Sequence, residues 1–383
     1  MVDGTATLVV DLGNSDTRVI TQFGVNGKGK PRKSRTTLSN RFGTLPENMI
    51  DVYLTNQLYS EEDSSIFRFG GEYWCNGAIC MTEATATTER PTAMRKKYNS
   101  LATKLAIINA FRQGYMDIAE FADCDLNSVN VNWNVTLLLP PEDVDLGSKQ
   151  LADLTREIKE IDFIIPALHK QIEINSVNIF SEGFCAYIAV LFESKKKIRK
   201  SYAYLAQPSE TTLIIDIGAG TTDFTIAEGG SIVMSSRFTK PIGGNNVHRR
   251  VGSALKAKGI NLPESAVRTG TETGVIRSGS KEFDIKEEIA AAKKDVSKQL
   301  VDAIVDYFES TMYNIQSINH LLLVGGGSIE SDVDGIEPIA HYMTEFITEI
   351  SPNVSRVALP KDEEGNTLSP RLLNVIGASI LSE

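Results

Sequence analysis

The stretch Leu213-Ile214-Ile215-Asp216-Ile217-Gly218-Ala219-Gly220-Thr221-Thr222-Asp223-Phe224-Thr225-Ile226 decides how this chain reads. An apolar run ends on a carboxylate, breaks at a small-residue turn, and resumes with alternating apolar and polar positions. That is the pattern of a β-hairpin whose turn offers backbone N–H groups to an anion. An echo stands upstream in Thr7-Leu8-Val9-Val10-Asp11-Leu12-Gly13-Asn14-Ser15-Asp16-Thr17-Arg18-Val19-Ile20. Aligning Asp11 with Asp216 puts Gly13 on Gly218 and Thr17 on Thr222, 216 − 11 = 205 residues apart, and an internal duplication accounts for the match.

Outward from the two hairpins, hydrophobic spacing predicts the remaining elements. Leu101, Leu105, Ile108, Tyr115 and Ile118 give an amphipathic helix between Asn99 and Phe121. Val131 to Leu139 reads as a buried strand closed by Pro140-Pro141. Leu151, Leu154, Ile158 and Ile161 predict a short helix, and Lys170 to Ile174 and Val177 to Phe180 predict strands. Ser181-Glu182-Gly183 is a strand end turning into a small-residue helix. Its Glu182 is either a buried functional carboxylate or a first-turn glutamate favoured by the helix dipole.

In the second half, Ile232 to Phe238 predicts a third strand, and Val247, Val251 and Leu255 mark one face of a helix. Ile285, Ile289, Ala292, Val296, Leu300, Ile304, Phe308 and Met312 form the longest helical stripe, which core packing explains. His320 to Val324 is a strand opening into Gly325-Gly326-Gly327-Ser328, and Leu372 to Ile380 is a closing helix. Two segments read as insertions: the β-rich 42–81 and the polar 258–283. The basic stretch from Gly24 to Arg35 reads as a solvated hairpin tip, with a polymer or partner contact as the sharper alternative.

At 383 residues the chain calls for two or three globular units. A net charge of −10 argues against broad adhesion to nucleic acid, so any DNA contact is expected to be local or through an adaptor. Cys75, Cys80, Cys124 and Cys185 include no C-x-x-C pair and read as reduced core thiols. No window approaches the apolar length of a membrane span and the N-terminus has no signal core, so a cytoplasmic, membrane-free location is expected.

Neither hairpin is a P-loop or a dinucleotide-binding turn. The chemistry lies in the set: two Asp-bearing phosphate turns, a third glycine turn, and a carboxylate corner. The turns can hold β- and γ-phosphates through backbone N–H groups and through the Ser15, Thr221 and Thr222 hydroxyls. Asp11 and Asp216 can hold a hydrated magnesium ion, which two carboxylates beside a triphosphate almost require. The turn at Gly325 would let a nucleoside lie against bare backbone.

In this order, the Asp11 hairpin, the Glu182 corner, the Asp216 hairpin, the Gly325 turn and the Asn374 to Ala378 helix resemble the five signature elements of the actin superfamily. Within it the chain is most similar to bacterial filament-forming actins of the ParM/Alp plasmid-segregation type. The likeness lies in Asp216 to Asp223, in Leu137 to Pro140 followed by a helix and two strands before Ser181-Glu182-Gly183, and in Val324 to Ser328 after a long helix.

The resemblance implies an α/β, actin-like (ribonuclease H-like, duplicated) two-lobed ATPase fold, with a nucleotide cleft between the lobes and a smaller insertion subdomain in each. Lobe I would span 1–205 with an insertion at about 30–95, and lobe II 206–383 with an insertion at about 246–315. Asp11 and Asp216 match the magnesium-organising aspartates, and Glu182 matches the residue that orients the attacking water. Gly13, Asn14, Ser15, Asp16, Thr17, Gly218, Ala219, Gly220, Thr221, Thr222 and Gly325 to Ser328, including Gly326 and Gly327, would bind ATP or GTP.

The implied function is a nucleotide-dependent filament that hydrolyses its nucleotide and moves plasmid DNA through a small DNA-binding adaptor. Asn14, Ser15 and Asp16 depart from the commoner Thr-rich first turn. A sugar or small-metabolite kinase on the same fold is the alternative from another class, though no acceptor motif with a general base stands out. A chaperone-type ATPase and other cytoskeletal or cell-division actins are further relatives.

Overall fold

The computed structural model describes all residues except 1, 14–15, 26–30, 57–63, 78, 81–83, 85, 88–95, 279–280, 312, 329–332 and 363. It divides into two compact units. One comprises 1–139, 143–182 and 378–383; the other comprises 140–142 and 183–377.

In the first unit, β1 (Val2–Leu12), β2 (Asp16–Val25), β3 (Pro31–Ser39), β4 (Val129–Leu139) and β5 (Glu173–Ser181) form a five-stranded sheet in the order β5-β4-β1-β2-β3. β1 runs antiparallel to β2 and parallel to β4. Helix α1 (Leu101–Ala122) lies against β1 to β3, and α2 (Val144–Arg156) lies against β5. Leu8, Val10 and Leu12 share one side of β1 and pack with Phe111, Ile118 and Trp133, as the two-residue side-chain period requires. A second sheet of six short strands carries the insertion, with Leu45, Ile66, Cys75 and Ile79 in its core.

The second unit repeats the plan. The chain enters it through α3 (Glu182–Leu191), and β6 (Thr211–Ile217), β7 (Thr222–Glu228), β8 (Ser231–Ile232), β9 (His320–Val324) and β10 (Ser355–Arg356) stand in the order β8-β7-β6-β9-β10. β6 is antiparallel to β7 and parallel to β9, matching β1 with β2 and β4. The register matches too: Leu12 faces Thr17 in one hairpin, and Ile217 faces Thr222 in the other.

Four more helices follow in this unit: α4 (Gly244–Ala257), α5 (Glu264–Thr273), α6 (Lys286–Glu309) and α7 (Ile339–Ile350). The last helix, α8 (Leu373–Leu381), begins in this unit and ends in the first. Leu213, Ile215 and Ile217 pack with the α6 stripe at Ile289, Val296 and Leu300, while Ile214 packs with Ala186, Val190 and Leu373. β6 is therefore covered on both faces, which is why it reads as an unbroken apolar run.

Several expectations give way to the structure. The third strand expected over Ile232 to Phe238 is interrupted by a 3-10 turn at Met234–Ser236. There the Ser236 hydroxyl accepts the Ile226 N–H at 2.9 Å and donates to Val233 O at 2.7 Å, taking the place of a ladder bond. Ile161, expected on a helix, lies on a strand, Glu160–Ile165, where Ile161 and Phe163 are buried and Asp162 is not. The two strands expected between 170 and 180 are Leu168–Gln171 and β5, which is continuous through a register shift at Ile174/Ser176.

Part of the basic stretch is β3, paired along β2, with 26–30 outside the described residues. There Lys33 Nζ donates to Glu383 Oε1 at 2.9 Å, and Arg32 donates to the Phe121 carbonyl. The polar segment after Lys258 contains α5 and a hairpin, Val275–Ser278 with Lys281–Asp284. α5 buries only Val267, Gly270 and Thr271, too narrow an apolar face to show in the sequence. α7, which buries Ile339, Ala340, Met343 and Ile347, went unpredicted.

The long stripe forms α6, with Met312 beyond it and outside the described residues. All four cysteines are free thiols, three of them buried. Among the described residues no helix is long and apolar enough to cross a membrane.

Candidate functional site

The first turn is built around Asp11, which is 2% exposed at the end of β1. The hairpin register sets Arg18 directly across from it, and Arg18 Nη1 donates to Asp11 Oδ2 at 3.1 Å. Asn40, beyond the end of β3, fixes the turn from the side. It accepts from the Thr17 hydroxyl at 2.5 Å and donates to the Gly13 carbonyl. Gly13 also donates its N–H to Asp11 O at 3.1 Å. Asp16 and Thr17 open β2, with Thr17 buried; Asn14 and Ser15 lie outside the described residues. Arg18 and Asn40 were not foreseen, although counting residues across the hairpin from Asp11 would have found Arg18.

Glu182 opens α3, where a carboxylate is favoured by the helix dipole. It is 7% exposed, and Lys97 Nζ donates to its Oε1 at 2.8 Å. A buried carboxylate with an ion-paired cation is more than a solvated first-turn glutamate.

In the second turn Gly218 donates its N–H to Thr221 O at 2.8 Å. The N-terminus of α4 closes over this turn: the Gly244 and Asn245 N–H groups donate to the Gly218 and Ala219 carbonyls at 3.0 and 2.7 Å. Thr222 is buried, and its hydroxyl donates to Ile242 O at 2.7 Å, so it serves the turn's own architecture. Thr221 is the partly exposed threonine of the pair. The residue across from Asp216 is Asp223, which accepts from the Thr239 hydroxyl at 2.5 Å.

Asp216, at the end of β6, is 6% exposed. Asn374, the second residue of α8, donates from Nδ2 to Asp216 Oδ2 at 2.5 Å, while its own buried Oδ1 has no hydrogen-bond partner. The third glycine turn packs directly on this carboxylate. Gly325 has φ +84°, a left-handed conformation that suits glycine, and a Cβ there would sit 2.3 Å from Asp216 Oδ1. A Cβ on Gly327 would meet Ile217 Cγ2 at 2.4 Å, whereas the nearest atom to one on Gly326 is Arg371 Nε at 3.8 Å. Of these three positions, Gly326 alone would take a Cβ at an ordinary contact distance; Ser328 ends the 3-10 turn Gly326–Ser328.

Among the described residues no three His, Cys, Asp or Glu side chains form a metal cluster. A hydrated magnesium ion needs less, since it keeps several waters and takes one or two carboxylates. Asp216, with the unpartnered Asn374 Oδ1 beside it, fits such an ion.

His248, on the first turns of α4, is held neutral. Burial first, and then the nearby Arg268, push its pKa down to about 4, and its Nδ1 is enclosed without a partner. The unfolded chain takes up this proton near pH 6.5. Stability carried by the neutral ring is therefore present above about pH 6.5 and lost as the pH falls toward 4. His248→Gln should flatten the fall of Tm over that interval; a parallel pH dependence in the variant would show that another group carries it.

A family model described as archaeal actin homologue MreB-like, C-terminal, matches residues 214–332, the span from β6 through the third glycine turn. Among solved structures, the archaeal actin homologue Ta0583 is 15% identical with a TM-score of 0.67, covering 98% of this chain and 99% of that one. A subunit of a 15-stranded ParM filament from Clostridium botulinum is 16% identical with a TM-score of 0.65, covering 98% of each chain. The actin-like protein Alp7A is 14% identical with a TM-score of 0.65, covering 99% of this chain and 96% of that one. No curated protein sequence matches.

The chain therefore has the actin-like fold. It has it over its full length, as the motif order led one to expect.

Proposed function

We propose that this protein is a nucleotide-dependent, filament-forming actin homologue that binds Mg-ATP or Mg-GTP, hydrolyses it, and drives plasmid DNA segregation. The observation that carries the reading is the twice-built turn: in each unit a buried aspartate ends the central strand beside a tight turn, in the same register and strand order. The neighbours support it, since one is a ParM filament and Ta0583 has also been solved in complex with ADP.

Each turn, the one after Gly13 and the one from Gly218 to Thr221, offers backbone to a phosphate, and Arg18 supplies a fixed positive charge beside Asp11. Magnesium, for which Asp216 and Asp11 are each a carboxylate that can bind through water, neutralises charge on the triphosphate. Glu182 orients the attacking water. A net charge of −10 supports contact with DNA through a basic adaptor protein and not directly.

The purified protein should give a nucleotide-dependent rise in light scattering with Mg-ATP or Mg-GTP, and filaments by electron microscopy. No polymer with either nucleotide, across salt and crowding conditions, would refute the proposal.

A further inference from the structure

We propose that Lys97 is the positioning residue for Glu182: its ammonium holds that carboxylate ionised and oriented for the water-directing role. The inference rests on the proposed role of Glu182 and deepens it.

Lys97 is mounted with care. It opens a 3-10 turn, Lys97–Asn99, immediately before the Ser100 cap of α1, where Ser100 Oγ accepts the Thr103 N–H at 3.1 Å. On one side of Lys97, Lys96 Nζ donates to Asp143 Oδ1 at 2.8 Å. On the other, the Tyr98 ring lies over Gly147 of α2 so closely that a Cβ there would be 2.2 Å from Tyr98 Cδ1. With residues on both sides of it tied down, Lys97 has its backbone fixed from three directions.

The side chain runs inward. It is 12% exposed, lines a small pocket with Gly13, Asn40 and Thr103, and ends 2.8 Å from Glu182 Oε1. It thus stands between the first phosphate turn and the carboxylate corner of the same unit. Lysines are rarely buried without a task, and an exposed carboxylate would need no such partner.

A water-orienting glutamate has to accept a hydrogen bond, which an ionised carboxylate does through about four lone-pair sites on two oxygens. Burial alone would favour the protonated form, which donates and cannot direct a water as a base would. The ammonium opposes this by favouring the charged form, and it uses one acceptor site while fixing the plane of the group. Lys97 makes no bond to substrate in this scheme; it acts through Glu182.

The test uses the full chain as parent, Lys97→Met, Lys97→Arg and Glu182→Gln. Carboxyl titration of Glu182 by 13C NMR should move to higher pH by about one unit in Lys97→Met and return most of the way in Lys97→Arg. Hydrolysis should fall about tenfold in Lys97→Met near pH 7, its acidic limb should move up by the same interval, and nucleotide affinity should stay within about threefold.

An unmoved Glu182 titration in a folded Lys97→Met protein overturns the proposal. So does a loss of nucleotide affinity that accounts for the whole rate effect, which would make Lys97 a phosphate ligand. If the titration moves but Glu182→Gln hydrolyses like the parent, the ion pair stands and the catalytic reading of Glu182 fails. Should the methionine variant not fold, Lys97→Gln, which removes the charge but keeps a polar head, gives the same readout.

Discussion

Glu182→Ala is expected to form filaments with nucleotide and to release phosphate at least about 100-fold more slowly than the parent. The size follows from what a positioned group that handles the nucleophile's proton contributes, roughly 100-fold to 10,000-fold. Assembly should survive because Glu182 is one buried side chain at the start of α3 and its loss removes no backbone N–H group from either turn. Deleting it leaves Lys97 without this carboxylate, so some loss of stability is expected alongside. Phosphate release and sedimentation on the same sample separate the two effects. Equal phosphate release by variant and parent would remove Glu182 from the mechanism, whatever happened to assembly.

The second large effect concerns packing. Gly377, in the middle of α8, lies so close to α3 that a Cβ would sit 1.7 Å from the Cys185 carbonyl oxygen and 2.5 Å from its carbon. Those atoms are helix backbone, so no side-chain rotation can relieve the clash and the helices must part. Gly377→Ala should cost about 3 kcal/mol, near the upper range for overpacking a core, and lower Tm by roughly 6 to 12 °C for a unit of this size.

The contact has a site consequence as well. α8 carries Asn374, whose amide bonds Asp216, so displacing the helix should loosen that carboxylate and weaken nucleotide binding. Gly326→Ala is the control for stability, because its nearest neighbour would be 3.8 Å away. A Gly377→Ala protein that melts with the parent would show that the two helices do not pack this closely.

The fold was legible where periodicity and burial coincide. β1, β6 and α6 are covered by apolar neighbours, so their sequences are dominated by what they bury. The duplication was readable because both hairpins keep the same count from aspartate to threonine. α5 and the continuous β5 were not, since one buries few side chains and the other passes through a register shift that breaks its alternation.

The site was half legible for a related reason. Asp11, Asp216 and Glu182 stand out as carboxylates at strand ends. Arg18 becomes meaningful only once the register is known, and Lys97 and Asn374 are distant in sequence from the carboxylates they serve. The glycine turn at Gly325 was visible, but the sequence could not say that two of its three glycines are in close contact with β6.

The two hairpins share a backbone but not an electrostatic character. In the first, register places a guanidinium across from the aspartate; in the second, it places another carboxylate there. One copy thus carries its countercharge in the polypeptide. The other opposes like charges across the strands, with the Asn374 amide donating to Asp216 and the Thr239 hydroxyl to Asp223. Duplication followed by divergence has thus left two hairpins that agree in backbone and register but set opposite charges against the aspartate that ends the central strand.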